Sequence, residues 1–208
     1  MIIMNDFVSQ FAEQFAQYNH LSPWQVTNDL PAILMELIIG LDSNYTIADG
    51  IAIHTTATVE SGAVLKAPMV IGEHCFIGAH AYLRGGVYLA NSVKIGPGCE
   101  IKTSIIFNNT AIAHFNFIGD SILGSNVNFE AGAITANHYN ERANKLIPVV
   151  YHSAIIQTGV NKFGSLVGDH CKIGANAVLS PGTLLMPNSI VKRLELVDQV
   201  SYLNSAGR

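Results

Sequence analysis

The 208-residue sequence predicts an all-β fold, a parallel β-helix of hexapeptide repeats with a small helical cap at its N-terminus. Two repeating positions indicate this fold. An aliphatic residue recurs at every sixth position, without a miss, from Ile47 to Ile101. About one residue in four is aliphatic in ordinary proteins, so such a run is very improbable by chance. A small or medium apolar residue follows four positions after each aliphatic residue, as Cys75 and Cys99 do.

Composition supports an all-β repeat and excludes two classes of partner. Only 12% of the residues are charged and 49% are hydrophobic, so Gly, Asn, Ser, Thr and His must form much of the surface. The net charge is −4 and the largest basic cluster is the pair Lys192-Arg193, which argues against nucleic-acid binding. No apolar run reaches the length of a membrane span, and the start has no basic leader followed by an apolar core. We therefore expect a cytoplasmic protein without a membrane partner.

Residues 1–40 form the predicted helical cap. Four aromatic residues recur three or four positions apart, the spacing of one helix face, behind a cap at Asn5 or Asp6: Phe7, Phe11, Phe15 and Tyr18. The stretch Ser22-Pro23-Trp24-Gln25 has the form of a capping box with Pro at the first helical position. A further helix is expected from about Leu30 to Ile39, ending at Gly40. We expect these helices to cover the open end of the prism.

Residues 41–190 form the predicted β-helix. A strand alternates its faces, so an aliphatic residue and the small residue four positions later both point into the prism. Three hexads close one coil of about 18 residues, and successive coils stack through parallel hydrogen bonds. Cys75 and Cys99 fall in the small inward slot and are assigned a structural role. The three cysteines of the chain contain no CxxC pair, which argues against a disulfide framework and a thiolate zinc site.

The repeat is interrupted in three places. The aliphatic steps from Ile101 to Ile106 and from Ile118 to Leu123 are five residues long instead of six. Residues 138–162 show no hexad period and read as a loop that leaves the prism, a candidate lid or binding arm. Residues 191–208 form a C-terminal tail that is either a closing helix or an extra strand.

The coil length places two cations together. Arg84 and Lys102 are 18 residues apart (102 − 84 = 18), and each follows an inward aliphatic residue. We expect them at one corner, about 4.8 Å apart. Two stacked cations repel each other unless an anion lies between them, which favours a phosphate clamp. The alternative is a pair of surface side chains without a ligand.

His114 is the candidate reagent. It stands two residues after the inward Ile112, so it faces outward, and we expect it near the same corner as Arg84 and Lys102. Asn116, Asn128, Asn137 and the long loop are its expected neighbours. A neutral imidazole is a suitable base for a hydroxyl or amine nucleophile.

The segment HFNFIGDSILGSNVNFEAGAITAN, residues 114–137, resembles the acetyltransferase segment of bacterial glucosamine-1-phosphate acetyltransferases. The overlapping TSIIFNNTAIAHFNFIGDSILG resembles the β-helix that follows the nucleotidyltransferase domain in putative glucose-1-phosphate thymidylyltransferases. Together these resemblances cover about residues 65–190. They imply a left-handed β-helix that assembles as a homotrimer with sites at subunit boundaries.

The resemblance also implies roles for individual residues. It makes His114 the general base that deprotonates a sugar amine, with acetyl-CoA as co-substrate and no metal required for the chemistry. Ala175 lies near the acetyl-CoA channel. The residues assigned to the sugar phosphate are Arg84, Lys102, Asn116, Asn128, Asn137 and His138. Two tyrosines of the family are absent, since Phe117 and His138 stand in their places.

Three functions remain open from the sequence. The first is an acetyl-CoA-dependent acyltransferase for an amino- or hydroxy-sugar phosphate. Because the chain has no Gly-rich nucleotidyltransferase start, a separate nucleotidyltransferase is a possible partner of that enzyme. The second is a non-catalytic β-helix, kept for oligomerisation or ligand sensing. The third is a metal hydratase, which needs a third histidine beside His74 and His80.

Overall fold

The computed structural model describes residues 2–201 of the chain. Its helices are α1, Phe11–Gln14, and α2, Pro23–Ile39, with 3-10 turns at Met4–Asp6 and Ala16–Tyr18. The strands are β1 Tyr45–Ala48, β2 Ile51–His54, β3 Thr58–Val59, β4 Val64–Leu65, β5 Met69–Ile71, β6 Phe76–Ile77, β7 Tyr82–Leu89, β8 Lys94–Ile95, β9 Glu100–Ile106, β10 Ala111–Ile112, β11 Phe117–Gly119, β12 Ile122–Leu123, β13 Asn128–Phe129, β14 Ile134–Thr135, β15 Pro148–Tyr151, β16 Ala154–Gln157, β17 Ser165–Val167, β18 Lys172–Ile173, β19 Val178–Leu179, β20 Thr183–Leu185, β21 Ile190–Val191 and β22 Leu196–Val197. None of the described helices is long and apolar enough to cross a bilayer.

The short strands stack into the three faces of a left-handed parallel β-helix, as the hexad pattern predicts. The second face is a seven-stranded sheet in the order β21-β18-β13-β10-β8-β6-β3. The first face contains β2, β5, β12, β17, β20 and the ends of β7 and β9; the third contains β4, β11, β14, β19, β22 and the beginnings of β7 and β9. β7 and β9 are long because each continues around the corner from the third face to the first.

The prism interior is filled by the two predicted inward positions. Ile77, Ile95 and Ile101 are completely buried, and Cys75 and Cys99 are each 1% exposed. Burial raises the pKa of the Cys75 thiol to about 11, and raises that of Cys99 as well. A thiol held protonated inside an apolar prism is not a nucleophile, so the structural assignment of these cysteines fits their surroundings.

The two five-residue steps are shortened corners between the third and first faces. Arg84 pairs with Lys102, but Val87 pairs with Ser104, so one residue is missing from the second of these two turns. The next coil is equally short, since Ile105 pairs with Ile122. The hexad break therefore marks a change in corner geometry and not an end of the β-helix.

The N-terminal helical region differs in detail from the expectation. The predicted helix over Phe7–Tyr18 is a series of short turns, because Asp169 holds the chain at Ser9: its carboxylate accepts bonds from the Ser9 amide and hydroxyl. The two later helices are one, since α2 continues from Pro23 to Ile39 through Pro31. The Ser22 and Gln25 capping box is present.

The helical cap lies along the flank of the prism rather than across its open end. Its apolar side chains pack on the outward residues of the first face, which are hydrophobic from one end to the other. The helical contributors include Phe7, Phe11, Phe15, Leu30 and Leu34, and the strand contributors are Ala52, Val70, Ile105, Ile122, Leu166 and Leu184. An outward face that is itself apolar must be covered, and the N-terminal residues cover it.

Two further segments refine the expected boundaries. The loop over 138–162, which we call the excursion, contains an antiparallel hairpin, β15–β16. It leaves the prism at the corner between the third and first faces and returns at Phe163. Strands β21 and β22 stack on β18 and β19, so the β-helix extends to Val197 and includes the first part of the expected tail. The last seven tail residues, 202–208, lie outside the described part of the chain.

Candidate functional site

The third face has a corner at each end, and the candidate residues divide between them. We call the corner between the second and third faces the His114 corner; it also contains Glu130, Ala175 and Arg193. We call the corner between the third and first faces the loop corner; it contains Arg84, Lys102, Asp120 and Asn137. The expectation that His114 lies at the corner of Arg84 and Lys102 is therefore wrong. It follows strand β10 of the second face, whereas Lys102 ends the third-face part of β9.

At the loop corner, Arg84 and Lys102 are register partners on neighbouring strands, as the coil length predicts. Each cation already has a carboxylate. Arg84 donates from Nε to Glu100 Oε1 at 2.8 Å, and Lys102 Nζ lies 2.8 and 3.0 Å from the two oxygens of Asp120. The argument that the stack requires an external anion therefore does not hold, because internal acids neutralise both charges.

Asp120 is the centre of a buried network at the loop corner. Its side chain is 9% exposed, and it accepts bonds from Lys102 and from the amide nitrogen of Asn137. Asn137 is also buried, at 9% exposure. His138 is exposed, and its Nδ1 is 3.4 Å from Asn137 Oδ1, at the long limit for a hydrogen bond. Lys102 and Asn137 thus meet at one carboxylate, while Arg84 pairs separately with Glu100.

A pocket of about 490 Å³ opens beside this network. Its walls come from helix α2, from the corners of successive coils and from the excursion. The lining residues are Thr27, Asn28, Pro31, Gly85, Thr103, Asp120, Leu146, Gly159, Val160, Asn161 and Lys162. Asp120 is the only member of this lining that the network above also contains.

At the other corner, His114 is exposed, as expected from its place two residues after Ile112. Its backbone carbonyl accepts bonds from the Gly132 amide, at 2.8 Å, and from the side-chain amide of Asn116, at 3.2 Å. Within residues 2–201 its imidazole has no hydrogen-bond partner, so the turn is fixed while the ring is free to meet another molecule.

Asn116 points into the prism and not toward a ligand. It is 2% exposed, and its amide nitrogen lies between the His114 carbonyl and the Cys99 sulfur. Its Oδ1 is buried without a partner among the described groups. The position is four residues after Ile112, the small inward slot, which explains why this predicted substrate contact does not face a surface site.

Glu130 and Arg193 form a bidentate ion pair at the His114 corner. Arg193 donates from Nε and Nη2 to the two Glu130 oxygens, both at 2.8 Å, and the Ala175 amide donates to Glu130 Oε2 at 2.9 Å. The arginine bonds, and then the Ala175 amide, lower the pKa of Glu130 to about 2. Ala175, the predicted cofactor-binding residue, therefore lies in a turn where its backbone amide already donates to Glu130.

Asn128 lies away from the other predicted substrate residues. It is an exposed residue of β13 on the second face, between Ala111 and Lys172 in the ladder. It borders a second, open pocket of about 610 Å³ that also includes Glu130, Lys172 and Arg193. No group of three or more His, Cys, Asp or Glu side chains suited to a metal occurs within residues 2–201.

The sequence alone did not reveal the carboxylates that pair with Arg84 and Lys102, or the pairing of Arg193 with Glu130. The pairing of Asp120 with Lys102 was nevertheless predictable, because Asp120 lies in the segment 114–137 and 18 residues after Lys102. Glu100 faces Tyr82 in the ladder and reaches Arg84 diagonally, a contact that linear spacing does not reveal. Arg193 meets Glu130 only because the excursion is looped out between their coils.

Comparison with known proteins matches the repeats. A family model described as "Bacterial transferase hexapeptide (six repeats)" matches residues 68–103, and "Hexapeptide repeat of succinyl-transferase" matches residues 166–192. A solved structure, a hexapeptide transferase family protein from Anaplasma phagocytophilum, superimposes with a TM-score of 0.50 at 20% identity, covering 72% of this chain and 86% of the other. This likeness concerns the fold.

Curated relatives extend the similarity in sequence. The bifunctional sugar-1-phosphate nucleotidylyltransferase/acetyltransferase of Sulfurisphaera tokodaii is 30% identical over 183 residues, 82% of this chain and 45% of that protein. The bifunctional protein GlmU of Methanococcus maripaludis is 38% identical over 104 residues, 50% of this chain and 25% of that protein. The chain thus spans less than half the length of these two curated relatives.

Proposed function

We propose that this left-handed hexapeptide-repeat β-helix is an acetyl-CoA-dependent acyltransferase acting on an amino- or hydroxy-sugar phosphate. The observation that carries the proposal is the exposed imidazole of His114, which has no hydrogen-bond partner within residues 2–201 and stands on a hydrogen-bonded corner. A base must reach its substrate while its backbone stays fixed, and His114 meets both conditions. The similarity to a relative named as an acetyltransferase supports the same reaction class.

In the proposed reaction, neutral His114 accepts a proton from the amine or hydroxyl of the sugar phosphate. The nucleophile attacks the thioester carbonyl of acetyl-CoA, and a tetrahedral intermediate with a negative oxygen forms. Backbone N–H groups are the suitable donors for that oxygen. Collapse of the intermediate transfers the acetyl group and expels the CoA thiolate, which takes the proton from the imidazolium.

The phosphate of the acceptor is assigned to Arg84 and Lys102. Both cations are paired with carboxylates in the free chain, so a phosphate must compete with Glu100 or Asp120. The Arg84 side chain is 36% exposed and Lys102 only 16%, which makes Arg84 the more accessible of the two. We infer that Arg84 makes the first phosphate contact.

The site is proposed to be completed by a trimer. His114 and Lys102 lie at opposite ends of the third face, so one chain alone does not bring them together. That face presents a strip of exposed and half-exposed apolar side chains between the two corners, Val64, Tyr82, Phe117, Ile134 and Val178, which Glu100 interrupts between Tyr82 and Phe117. Packing this strip against other copies buries apolar surface and brings a neighbour's loop corner toward His114. Sedimentation equilibrium should give a trimer; a monomer at all concentrations would exclude the shared site.

One observation favours a second candidate, a non-catalytic module. Glu100 and Asp120 already bind the two cations that are proposed to bind phosphate, as expected if the stacked pairs are structural. In this case the β-helix serves oligomerisation or ligand sensing.

The first experiment separates these two candidates. Purified protein is incubated with acetyl-CoA and glucosamine-1-phosphate, and free CoA thiol is measured with time. We expect thiol release that requires the sugar phosphate. His114→Asn should lower kcat by at least about 100-fold while the protein stays folded, because loss of a general base typically costs that factor.

His80→Asn is the matched control. His80 is also exposed, occupies the same corner two coils earlier, and has a positive φ that Asn tolerates. It should keep wild-type activity. Equal rates in His114→Asn and the wild type would remove the base assignment, and no thiol release in any variant would favour the non-catalytic module.

If acyl transfer is established, the acetylated sugar phosphate is a suitable substrate for a separate nucleotidylyltransferase. The relative from Sulfurisphaera tokodaii is named for both activities. We therefore propose a nucleotidylyltransferase as a functional partner of this chain.

A further inference from the structure

Two walls of the pocket at the loop corner come from parts of the chain that the proposed acyl transfer does not use. Helix α2 forms one wall, and the end of the excursion forms another. Pro31 packs directly on the corner at Gly86, where a Cβ would meet Pro31 Cγ at 3.3 Å. The positive φ of Gly86, together with this close approach, allows the helix to reach the coil.

The polar groups of this pocket suit a polyhydroxylated molecule. Asp120 offers a buried carboxylate, and Thr103 and Asn161 offer a hydroxyl and an amide whose side chains have no hydrogen bond within residues 2–201. Pro31 has no amide hydrogen, so the Thr27 carbonyl, one turn earlier in α2, lacks its usual helical donor. Convergent acceptors and donors beside the apolar groups of Leu146 and Val160 are typical of a carbohydrate site.

The charge of the pocket favours an anion. Asp120 is neutralised by Lys102, so its negative charge is balanced inside the protein. Lys162, at the rim, has no ion pair within residues 2–201. One uncompensated ammonium group is therefore available to a phosphate or carboxylate of the ligand.

From these observations we propose that the loop-corner pocket is a second small-molecule site, which binds a monoanionic or dianionic sugar, such as a sugar phosphate, independently of acyl transfer. Lys162 contacts the anionic group, and Asp120, Thr103 and Asn161 bind hydroxyl groups. His114 lies at the opposite end of the third face, so the base of the same chain does not reach this ligand. The volume of about 490 Å³ falls in the range of small-molecule pockets.

A local optical signal is available for the test. Trp24 is the only tryptophan of the sequence, and its ring packs edge-on against Phe163 at 5.9 Å. Thr27, one turn later in the same helix, and Lys162, next to Phe163, both line the pocket. Occupation of the pocket should therefore change Trp24 fluorescence, and the variants below separate this signal from binding at Arg84.

The experiment titrates the full chain, without CoA, with glucose-1-phosphate, glucose and inorganic phosphate. We expect glucose-1-phosphate to change Trp24 fluorescence at concentrations at least tenfold lower than the other two. Lys162→Met should weaken glucose-1-phosphate binding at least tenfold. Thr103→Val, which keeps the side-chain shape, should weaken it severalfold. Lys94→Met removes an exposed lysine from the second face and should bind as the wild type does.

Arg84→Met separates this proposal from the acyltransferase. Binding that is lost in Arg84→Met and unchanged in Lys162→Met would overturn the second site, and would assign the sugar phosphate to the acceptor position. Absence of any fluorescence change or calorimetric heat with glucose-1-phosphate would also overturn it. Conversely, Lys162-dependent binding without any acetyl transfer would retain the pocket and reject the proposed enzyme.

Discussion

Glu130 is a carboxylate that links the coil before the excursion to the two coils after it. It accepts three hydrogen bonds, two from Arg193 and one from the Ala175 amide. Removing negative charge from this cluster releases both the arginine and the turn. The corner is therefore sensitive to acid, because the bonds stabilise only the ionised form.

The sign of the pH effect follows from the pKa of Glu130. Folding lowers it from the ordinary 4.5 to about 2, so the pair contributes stability fully above pH 4.5 and loses it as the pH falls toward 2. Glu130→Gln should flatten the decline of the unfolding free energy over this range, measured by urea titrations at successive pH values. Glu60→Gln is the control, because Glu60 accepts the Ala79 amide in an equivalent turn without an arginine bond. An unchanged pH profile in Glu130→Gln would contradict the assignment.

Single residues also show what spacing reveals about a site and what it does not. The inward-slot rule that places Cys99 in the core also places Asn116 there, so that burial was readable from Ile112. Spacing also stacked Arg84 on Lys102 correctly. It did not reveal Glu100 as the partner of Arg84, because side-chain reach across a corner depends on rotamers and local turns.

At the scale of the elements, each coil rests on close backbone contact at its corners. Gly96 follows β8, and a Cβ built on it would lie 1.6 Å from the Ala113 carbonyl oxygen of the next coil. No side chain fits there without separating the two coils. The glycines after the inward aliphatic residues therefore reflect stacking distance.

Gly96→Ala should consequently destabilise the protein by at least about 2 kcal/mol, as overpacking in a tight core does. Chemical denaturation followed by far-UV circular dichroism measures this loss. Gly40→Ala is the control, because its Cβ would meet only the Leu37 carbonyl oxygen at an ordinary 3.7 Å. It should change stability by less than about 0.5 kcal/mol. Equal stability of Gly96→Ala and the wild type would mean that the coils separate at no cost.

The elements differ in how well the sequence predicts them. The strands are predicted well, because every hexad contains its own inward-facing residues and so repeats the pattern locally. The capping box of α2 was visible at Ser22 and Gln25, but the single helix through Pro31 was not, because tertiary packing of Leu30 and Leu34 outweighs the proline. The turns at Ser9 depend on Asp169, 160 residues away, a contact outside the reach of local pattern.

At the scale of the whole molecule, two apolar clusters share the strands of the first face. One fills the prism, and the other lies between the prism and the N-terminal helical region. Because inward and outward residues alternate along the same strands, loss of the outer cluster exposes strands that also line the inner one. We therefore expect one cooperative unfolding transition.

Phe11→Ala tests this coupling. Phe11 is completely buried and packs on Phe15 and Phe107, with ring centroids 5.4 and 6.3 Å away. Its truncation should lower the unfolding free energy by about 3 to 5 kcal/mol in a single transition. Ile39→Ala, at a side chain 86% exposed, should have an effect below about 0.5 kcal/mol. Two separate transitions in scanning calorimetry would show that the helical region is an independent unit.

The flanking position of residues 2–39 also determines when the chain can finish folding. Solenoids usually need only neighbouring repeats, so coils can form in order as the ribosome releases them. Here residues 2–39 precede the coils that they cover, so they must wait for later partners such as Ser125, Asp169 and Leu184. During that interval their aromatic side chains have no complete surface to cover. At this stage the nascent chain is most prone to aggregate and to bind chaperones. The final folding step, the packing of residues 2–39 on the first face, forms contacts over long sequence distances and is therefore slow.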